Sequence, residues 1–511
     1  MRYLLETDKQ LSEHSVCSPS TRRVAGTMLL FIAMLVLGLL IPVYPAACLP
    51  FLALAGLCFV LYHFENGLIL LVVFLGIFTD GYNPNRGIDD IIYRLNVDKL
   101  YIMEMLVYTL GFICITRSLL HREYTAWRIK GTLDRVLPLL AAVTIWFMYY
   151  GYERTNSLAK GFGYHGGRVI LVGIVFYFLL VNTLSGTEAA IRLFKWLFVA
   201  AAFKATYALI AYLIGRSGSA NVYDGIPVPL YEIEESFALA VCVIGAVSAV
   251  IFGILKKWEI LFALAGSTVM ILVIVLSLRR SVWLSLVVAF IAIFFLGPVA
   301  HKIRLAVCAV LFAGALLAMG ADVSQRLQKR IGFLAEVIQR PSLIARQQGS
   351  DLQFHYYDIL DSWAAFKKAP FGRGFPGEYR RLLTSNQNND IERYLGTGIV
   401  HNEVLNIAVK MGVIGVGVYF LMLGAFFWNA RQALRLADVR DRALLTACIG
   451  TVLGGAALGL TSAHLMGNTK YPMLYFMMFA FVMVVRAQLL GECQAKIKNE
   501  RIKLPAALSA R

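Results

Sequence analysis

Charged residues are scarce in this sequence of 511 residues: Asp, Glu, Lys and Arg together make up 15%, whereas hydrophobic residues make up 59%. The mean hydropathy is +0.68. A soluble domain is about 45–50% apolar and about 25% charged. The composition therefore excludes an ordinary soluble protein. It predicts a polytopic membrane protein, in which each spanning helix needs about 20 apolar residues.

Several motifs of soluble or metal-dependent proteins are absent. The eight cysteines form no CxxC pair, so neither a disulfide framework nor a zinc site is predicted. There is no GxxxxGK[ST] segment of an ATP-driven pump and no Asp-x-Asp element that holds a nucleotide through a metal. Residues 372–377 read GxGxxG, but they follow a predicted helix end rather than a strand, which favours a turn. We therefore expect no metal and no cofactor.

Apolar runs follow one another along most of the chain and predict an all-α fold with about fourteen transmembrane helices. They fall at approximately 24–42, 46–62, 66–79, 99–116, 135–151, 168–184, 191–214, 236–254, 258–278, 281–298, 303–320, 402–429, 443–463 and 471–488. We divide the chain into residues 1–320 with transmembrane helices 1–11, a periplasmic loop at 321–400 with amphipathic helices, and residues 401–511 with transmembrane helices 12–14 and a cytoplasmic tail.

The net charge of +17 is distributed unevenly among the connections between these runs. If the N-terminus is cytoplasmic, the inner connections carry basic clusters such as Arg431, Arg435, Arg440 and Arg442, and the short outer connections carry fewer. This asymmetry follows the positive-inside rule and predicts cytoplasmic termini, with the 321–400 loop on the outer face. The positive charge therefore indicates topology and an anionic ligand at the outer face, not a nucleic acid.

The 321–400 loop, of about 80 residues, is too polar to cross a bilayer and ends at His401. Part of it is predicted to form amphipathic helix, because 351–367 carries apolar residues at three- and four-residue steps. These are Leu352, Tyr356, Ile359, Leu360, Trp363 and Phe366. Such a helix either lies on the bilayer surface or packs the loop onto the helices below. Pro370 and the glycines after it end the helix.

Two adjacent arginines, Arg279 and Arg280, interrupt the apolar runs at the predicted outer end of a helix. An arginine deep in lipid costs at least ~2.5–3.5 kcal/mol and commonly marks a bound anion or partner. The alternatives are snorkelling to the surface or pairing with a carboxylate. We favour the structural alternative for Arg279 and anion binding for Arg280, because the planar guanidinium binds a diphosphate through two parallel hydrogen bonds.

His401 lies where the loop re-enters the membrane, with Asn402 and Glu403 beside it. A single histidine at a membrane edge is more often a hydrogen-bonded packing residue. The position at the end of the long loop nevertheless favours a chemical role, since histidine can accept a proton at neutral pH. Glu403 is a candidate to orient the ring, although neighbouring helical residues do not face each other.

Three segments, in this order, resemble motifs of the O-antigen ligase and polymerase superfamily. Residues 277–284 resemble its Arg-Ser-Ala-Trp-Leu element, Trp363 with 369–375 resembles its tryptophan and Pro-Leu-x-Gly-x-Gly stretch, and 401–405 with 412–415 resemble its His-Asn-x-x-Leu and Gly-Ile-x-Gly segments. The resemblance extends over roughly 236–430, and the order of the motifs, the long loop and the helix count agree with it.

The resemblance implies a glycosyltransferase in the bacterial inner membrane. Such proteins transfer a saccharide from undecaprenyl diphosphate to an acceptor hydroxyl at the periplasmic face. The acceptor is the lipid A core for a ligase and another lipid-linked chain for a polymerase, and the sequence leaves both open. By resemblance, Arg280 would hold the donor diphosphate, with Arg279 beside it, and His401 would activate the acceptor hydroxyl. Single displacement would invert the anomeric centre.

The family also uses an arginine on an earlier outer loop, for which Arg216 is the nearest match and Arg168 a rival. Asn402, Glu403 and Arg373 are secondary candidates. Membrane lipids are expected partners. The alternative from another class is a polysaccharide flippase or other transporter. Transporters place polar residues near the bilayer midplane and commonly contain repeats, whereas no repeat relates the two halves of this sequence.

Overall fold

A computed structural model describes much of the chain between Phe64 and Leu508. The described residues are 64–77, 102–120, 131–156, 167–213, 222–223, 226–227, 233–277, 279–297, 302, 351–375, 400–463, 465–466 and 470–508. The chain divides into two compact units, Met1–Gly67 and Leu68–Arg511. The helix packing that follows belongs to the second unit.

Twelve helices and one short hairpin make up the described part. The helices are α1 (Phe64–Ile77), α2 (Ile102–Leu120), α3 (Thr132–Thr155), α4 (Arg168–Thr183), α5 (Thr187–Leu213), α6 (Ile233–Ile251), α7 (Lys257–Leu276), α8 (Arg280–Leu296), α9 (Asp351–Lys368), α10 (Glu403–Leu436), α11 (Val439–Gly459) and α12 (Lys470–Leu508). Between α5 and α6, strands β1 (Val222–Tyr223) and β2 (Ile226–Pro227) pair antiparallel. Strands of two residues are too short to leave a periodic pattern, so the sequence did not predict them.

Seven described helices are long and apolar enough to cross a membrane, and four shorter apolar helices accompany them. Together they correspond to eleven of the predicted apolar runs. The runs at 24–42, 46–62 and 303–320 lie outside the described residues. The all-helical, multi-pass architecture is thus confirmed for the described part. The total of about fourteen helices and the periplasmic position of the 321–400 loop stay predictions.

Small residues bring α8 and α11 into close contact. A Cβ on Gly454 would lie 2.6 Å from the carbonyl oxygen of Ser285, and a Cβ on Gly450 would lie 3.3 Å from that of Ala289. Helices in membranes associate through such close backbone approach, because lipid supplies no hydrophobic driving force between them. The pairs also fix the register: as the residue number rises along α8, it falls along α11, so the two helices are antiparallel.

Side-chain contacts identify one end of the helix bundle. Tyr177, near the end of α4, donates a hydrogen bond of 2.6 Å to Asp134 in the first turn of α3. Thr187, at the start of α5, donates one of 2.7 Å to Asp441 near the start of α11, and its backbone N–H donates to Gln488 of α12 (2.8 Å). We name this the Asp441 end.

The opposite end carries the first turns of α2, α4, α6 and α12. Glu104 of α2 pairs with Arg168 of α4. Phe237 of α6 packs on Tyr471 of α12, with ring centroids 4.7 Å apart. The Tyr471 hydroxyl in turn donates to the carbonyl of Gly455, near the end of α11 (2.8 Å). Helices α2 to α6 therefore run alternately in opposite directions, and so do α11 and α12, as expected of a chain that crosses a membrane repeatedly.

Helix α10 bends over the end of its neighbour. It has 34 residues, whereas α11 has 21, and it is broken at Gly412, where φ is 63° and ψ is −161°. At 1.5 Å per residue, residues 413–436 are about 36 Å long, close to the roughly 32 Å of α11. A Cβ on Gly459, the last residue of α11, would lie 3.1 Å from the Cβ of Glu403. The first residues of α10 therefore turn back over α11. We name this end, which carries His401, the His401 end.

Candidate functional site

His401 immediately precedes α10 and contacts a buried carboxylate of α9. Its backbone N–H donates to Oδ2 of Asp358 (2.7 Å), and its ring Nδ1 lies 3.2 Å from the same oxygen. Asp358 is 1% exposed, whereas the His401 side chain is 35% exposed. A buried carboxylate thus anchors the Nδ1 side of a ring that reaches the surface. When Nδ1 carries the proton and donates, the lone pair lies on Nε2.

Asn402 fixes the start of α10. Its side-chain oxygen accepts the backbone N–H of Leu405 (3.0 Å), which satisfies one of the donors left without a partner at a helix N-terminus. Its amide nitrogen donates to the carbonyl of Leu460 (2.9 Å), at the end of α11. Asn402, the residue after His401, is therefore held against the end of the neighbouring helix, and this contact helps to position His401.

Glu403 is buried in the first turn of α10. Its Oε2 accepts the backbone N–H of Leu465 (2.9 Å), in the connection between α11 and α12. A carboxylate at a helix N-terminus is also stabilised by the helix dipole. Through this contact Glu403 ties α10 to that connection, while Asp358 contacts His401.

Residues 370–375, which we name the clasp, lie against the break in α10. In an unbroken helix, the carbonyls just before the break would accept hydrogen bonds from residues four positions later. The clasp replaces these partners with its own backbone. Three backbone hydrogen bonds join the two segments: Val413 N–H to Pro370 O (2.9 Å), Arg373 N–H to Val409 O (3.0 Å) and Gly374 N–H to Lys410 O (2.9 Å).

Glycines allow the clasp to approach so closely. Gly372 and Gly374 have φ of 89° and 75°, in the region that favours glycine. A Cβ on Gly372 would lie 2.7 Å from the backbone nitrogen of Gly412, and a Cβ on Gly374 would lie 2.6 Å from that of Gly151 in α3. The described part of the GxGxxG segment is therefore a turn that packs backbone against backbone.

Helix α9 packs on α10 through its polar and small residues. The buried face consists of Asp358, Asp361, Ser362 and Ala365. The cluster that joins the two helices contains Ala365, Val400 and Val409, with Phe366 and Leu405 packed against it. Of the predicted apolar stripe, Ile359, Leu360 and Trp363 are 40%, 37% and 45% exposed. These three residues therefore do not belong to the buried face of α9, and a position of the stripe on the bilayer surface stays a prediction.

The turn between α7 and α8 contains the first resemblance motif. The Ser277 hydroxyl donates to the carbonyl of Ile274 (2.7 Å), and the indole N–H of Trp283 donates to the same carbonyl (3.3 Å). Ser236 of α6 lies 3.1 Å from the Ser277 hydroxyl. Ser277 and Trp283 therefore stabilise the tight turn at 277–280, which we name the arginine turn. Arg279 is the N-cap residue of α8 and is half-buried.

The register of α8 on α11 places the start of α8 at the His401 end. Ser285 lies at Gly454, so the first residue of α8, at position 280, is level with Gly459. Gly459 in turn contacts Glu403. The backbone of Arg280 and the start of α10 therefore lie at the same end of the bundle, on either side of α11. The side chain of Arg280 and the whole of Arg216 lie outside the described part.

Two of the secondary arginine candidates have partners within the protein. Arg168 Nε lies 3.1 Å and 3.2 Å from the carboxylate oxygens of Glu104, and both side chains are buried. Arg373 donates from its guanidinium to the carbonyl of Ala365 (3.4 Å), and its own carbonyl accepts from Arg154 (3.3 Å). These contacts give each arginine a structural role, and binding of substrate by either stays a prediction.

The comparison with known families concerns the region just described. Residues 265–420 match the O-antigen ligase family model. The match begins in α7 and ends in the second part of α10, so it contains the arginine turn, α9, the clasp and His401. The predicted resemblance is thereby confirmed over this segment, which supports ligase- or polymerase-type function in a multi-pass membrane protein. A comparison with curated protein sequences gives no match.

The sequence analysis missed Asp358, which the structure brings to His401. The residue is 43 positions away from His401 along the chain, and no helical or strand period relates the two. One signal was present: an acidic residue lies between apolar residues of an amphipathic helix in the loop that ends at His401. The prediction considered only the apolar residues of that helix, whereas the face that contacts His401 carries the acidic residue.

Proposed function

We propose that this protein is an inverting glycosyltransferase that moves a saccharide from undecaprenyl diphosphate to a hydroxyl of an acceptor glycan at the periplasmic face of the bacterial inner membrane. The acceptor is either the lipid A core or a growing polysaccharide. His401 is the general base, and Arg280 holds the donor diphosphate together with Arg279 and Arg216. Both termini are cytoplasmic.

The observation that carries the proposal is the grouping of the three resemblance motifs at one end of the bundle. The arginine turn, the clasp and His401 are separated by about 120 residues of sequence, and contacts through α10 and α11 bring their backbones to the His401 end. All of them lie within the segment that matches the O-antigen ligase family.

Buried charged side chains of both signs lie at this end. Among the described residues, the buried Lys and Arg side chains are Lys204, Lys410, Lys470 and Arg168. Each lies in the half of its helix nearer the His401 end, and Lys204 pairs there with Glu235 (3.8 Å). Buried carboxylates accompany them, namely Glu104, Glu235, Asp358, Asp361 and Glu403. The proposed binding of a diphosphate therefore rests on Arg280 and its neighbours, not on an excess of buried positive charge.

The reaction requires one proton transfer and one displacement. The acceptor hydroxyl gives its proton to Nε2 of His401 as its oxygen attacks the anomeric carbon. The bond from that carbon to the diphosphate oxygen breaks, and its electron pair leaves with the undecaprenyl diphosphate. Arginines stabilise the charge that develops on this leaving group, which is the electrostatic role other enzymes give to a metal. General-base assistance contributes about 10²–10⁴-fold.

Product analysis tests the proposal. The purified protein is incubated with undecaprenyl diphosphate oligosaccharide and, separately, with each candidate acceptor, and the anomeric configuration of any product is determined by NMR. Transfer with inversion to one acceptor supports the proposal and decides between ligase and polymerase. Absence of transfer to both acceptors by correctly folded protein contradicts it. If the protein were a flippase instead, its deletion would leave the lipid-linked intermediate on the cytoplasmic face of the membrane.

A further inference from the structure

A single carboxylate oxygen holds both the main chain and the ring of His401. Oδ2 of Asp358 accepts the backbone N–H of His401 at 2.7 Å and lies 3.2 Å from Nδ1. A ring without such contacts would rotate freely about its side-chain torsions. Here the hydrogen bond from the backbone N–H fixes the position of the His401 main chain, and the Nδ1 contact fixes the orientation of the ring. Together the two contacts define the direction in which Nε2 points.

The helix that carries Asp358 is itself fixed at both ends of its contact with α10. At one end are the hydrogen bonds from His401 to Asp358. At the other end, the clasp forms backbone hydrogen bonds to Val409, which belongs to the apolar cluster of α9 and α10, and to Lys410 and Val413 on either side of the break at Gly412. The distance between the carboxylate and the ring is therefore set by packed backbone rather than by flexible side chains.

We propose that Asp358 is the positioning residue of His401. It selects the tautomer with the proton on Nδ1, aims Nε2 at the acceptor hydroxyl, and stabilises the imidazolium that forms when Nε2 takes the proton. A carboxylate that orients a general-base histidine in this way is a recurring arrangement in enzymes of unrelated folds. The inference rests on the proposed function, because it gives Asp358 a role only through the base.

Asp358→Asn is the variant that isolates this role. Asparagine keeps the volume but carries no charge. With its oxygen in place of Oδ2 it still accepts both N–H groups without stabilising the imidazolium by charge, and with its nitrogen there it donates to Nδ1, which favours the wrong tautomer. We expect kcat to fall at least about 10-fold, and no further than in His401→Gln, with KM for the donor unchanged. Turnover is counted per donor-binding site, so a smaller folded fraction does not affect the result.

Asp361→Asn is the matched control. Asp361 is a buried carboxylate of the same helix, one turn further on, so its replacement measures what the loss of a buried charge from α9 does to the protein. We expect its kcat to stay within about 3-fold of the wild type. Asp358→Glu, which retains a carboxylate, should turn over faster than Asp358→Asn. Equal kcat in the Asp358→Asn and Asp361→Asn variants, or in the two Asp358 variants, contradicts the positioning role.

A double-mutant cycle separates the positioning role from the proposed function. If Asp358 acts through His401, adding Asp358→Asn to His401→Gln should change the residual turnover by less than about 3-fold, because coupled residues are not additive. A full additive loss in the double variant contradicts the inference. If His401→Gln alone turns over normally, the base assignment fails instead. If His401→Gln is inactive and Asp358→Asn is normal, only the inference fails.

Discussion

The two ends of the helix bundle differ in backbone regularity and in how many charged side chains they bury. At the Asp441 end, the helices are regular and the buried polar contacts join hydroxyls to carboxylates, as in Tyr177 with Asp134 and Thr187 with Asp441. At the His401 end, a helix is broken, three glycines have positive φ, and the described buried Lys and Arg side chains are concentrated together with most of the buried carboxylates.

This difference supports the proposal that the active site lies at the His401 end. Irregular backbone at membrane depth is tolerated only where protein or a water-filled site satisfies its polar groups. Buried cations in a membrane protein are expensive and commonly functional. The Asp441 end has the features of a structural scaffold, whereas the His401 end combines both kinds of cost. Altering features of the His401 end therefore tests this difference.

The largest expected effect on stability comes from removal of the buried cation of the Arg168–Glu104 pair. Arg168→Met leaves the buried Glu104 without this partner, and breaking a buried pair costs about 3–5 kcal/mol. The melting temperature of the detergent-solubilised protein, followed by size-exclusion chromatography after heating, should fall clearly. The double variant Arg168→Met with Glu104→Met should recover most of it. A single variant with normal stability and lost donor binding would instead make Arg168 a substrate ligand.

Gly412→Ala should destabilise the protein by roughly 2–4 kcal/mol, because alanine adds strain at positive φ and a clash in a packed site. Its Cβ would lie 2.5 Å from the backbone nitrogen of Gly372, across the break from the clasp. Gly417→Ala, in the same helix, is the control, since a Cβ there meets nothing within 4 Å. The same heating assay measures both. Equal melting temperatures for the two variants would show that the clasp does not depend on this close approach.

The positions of most helices could be predicted from the sequence. The features that could not be predicted depend on contacts between residues far apart in the chain. Most helices of the bundle begin and end within a few residues of the predicted apolar runs, because the membrane imposes a length of about 20 residues on each. Helices α10 and α12 extend further than their runs and end at Leu436 and Leu508. The break at Gly412 was not predicted, since a glycine in an apolar run is compatible with a continuous helix. Asp358 was missed because its importance arises from a partner in another helix.

The arginine turn was predicted as a site from the cost of arginine in lipid alone, and the structure adds what holds it. Ser277 and Trp283 both bond the carbonyl of Ile274, a pairing across the turn that a linear motif does not reveal. Similarly, the sequence predicted an amphipathic α9, but periodicity identifies a stripe without saying what faces it. The structure turns Asp358 and Asp361 inward and leaves Ile359 and Trp363 exposed.

Arg280→Lys should lower turnover about 10-fold or more at normal protein level, even though the charge is kept. Ammonium is a point charge and cannot form the two parallel hydrogen bonds that guanidinium makes to a diphosphate. Initial rates with undecaprenyl diphosphate oligosaccharide measure the effect. Arg442→Lys, at the Asp441 end, is the control and should be close to the wild type. Full activity of the Arg280→Lys variant would reduce Arg280 to a residue that extends to the membrane surface.

The smallest expected effect is that of a chelator. We predict that turnover of the purified protein changes by less than about 2-fold in EDTA, because the arginines stabilise the leaving diphosphate in the way a metal would. The rate is measured before and after chelation, and again after addition of Mg²⁺ or Mn²⁺. Loss of activity with EDTA and its recovery with either ion would overturn the arginine-based account of the His401 end.

The central claim, that the His401 end carries out transfer with His401 as the base, is tested most directly by the turnover of His401→Gln. Glutamine keeps similar size and hydrogen bonding but cannot accept a proton at neutral pH. We predict that turnover falls about 10²–10⁴-fold, to the level of His401→Ala, while donor binding and membrane insertion are unchanged. Near-normal turnover of the glutamine variant would contradict the account, because His401 would then only position other groups.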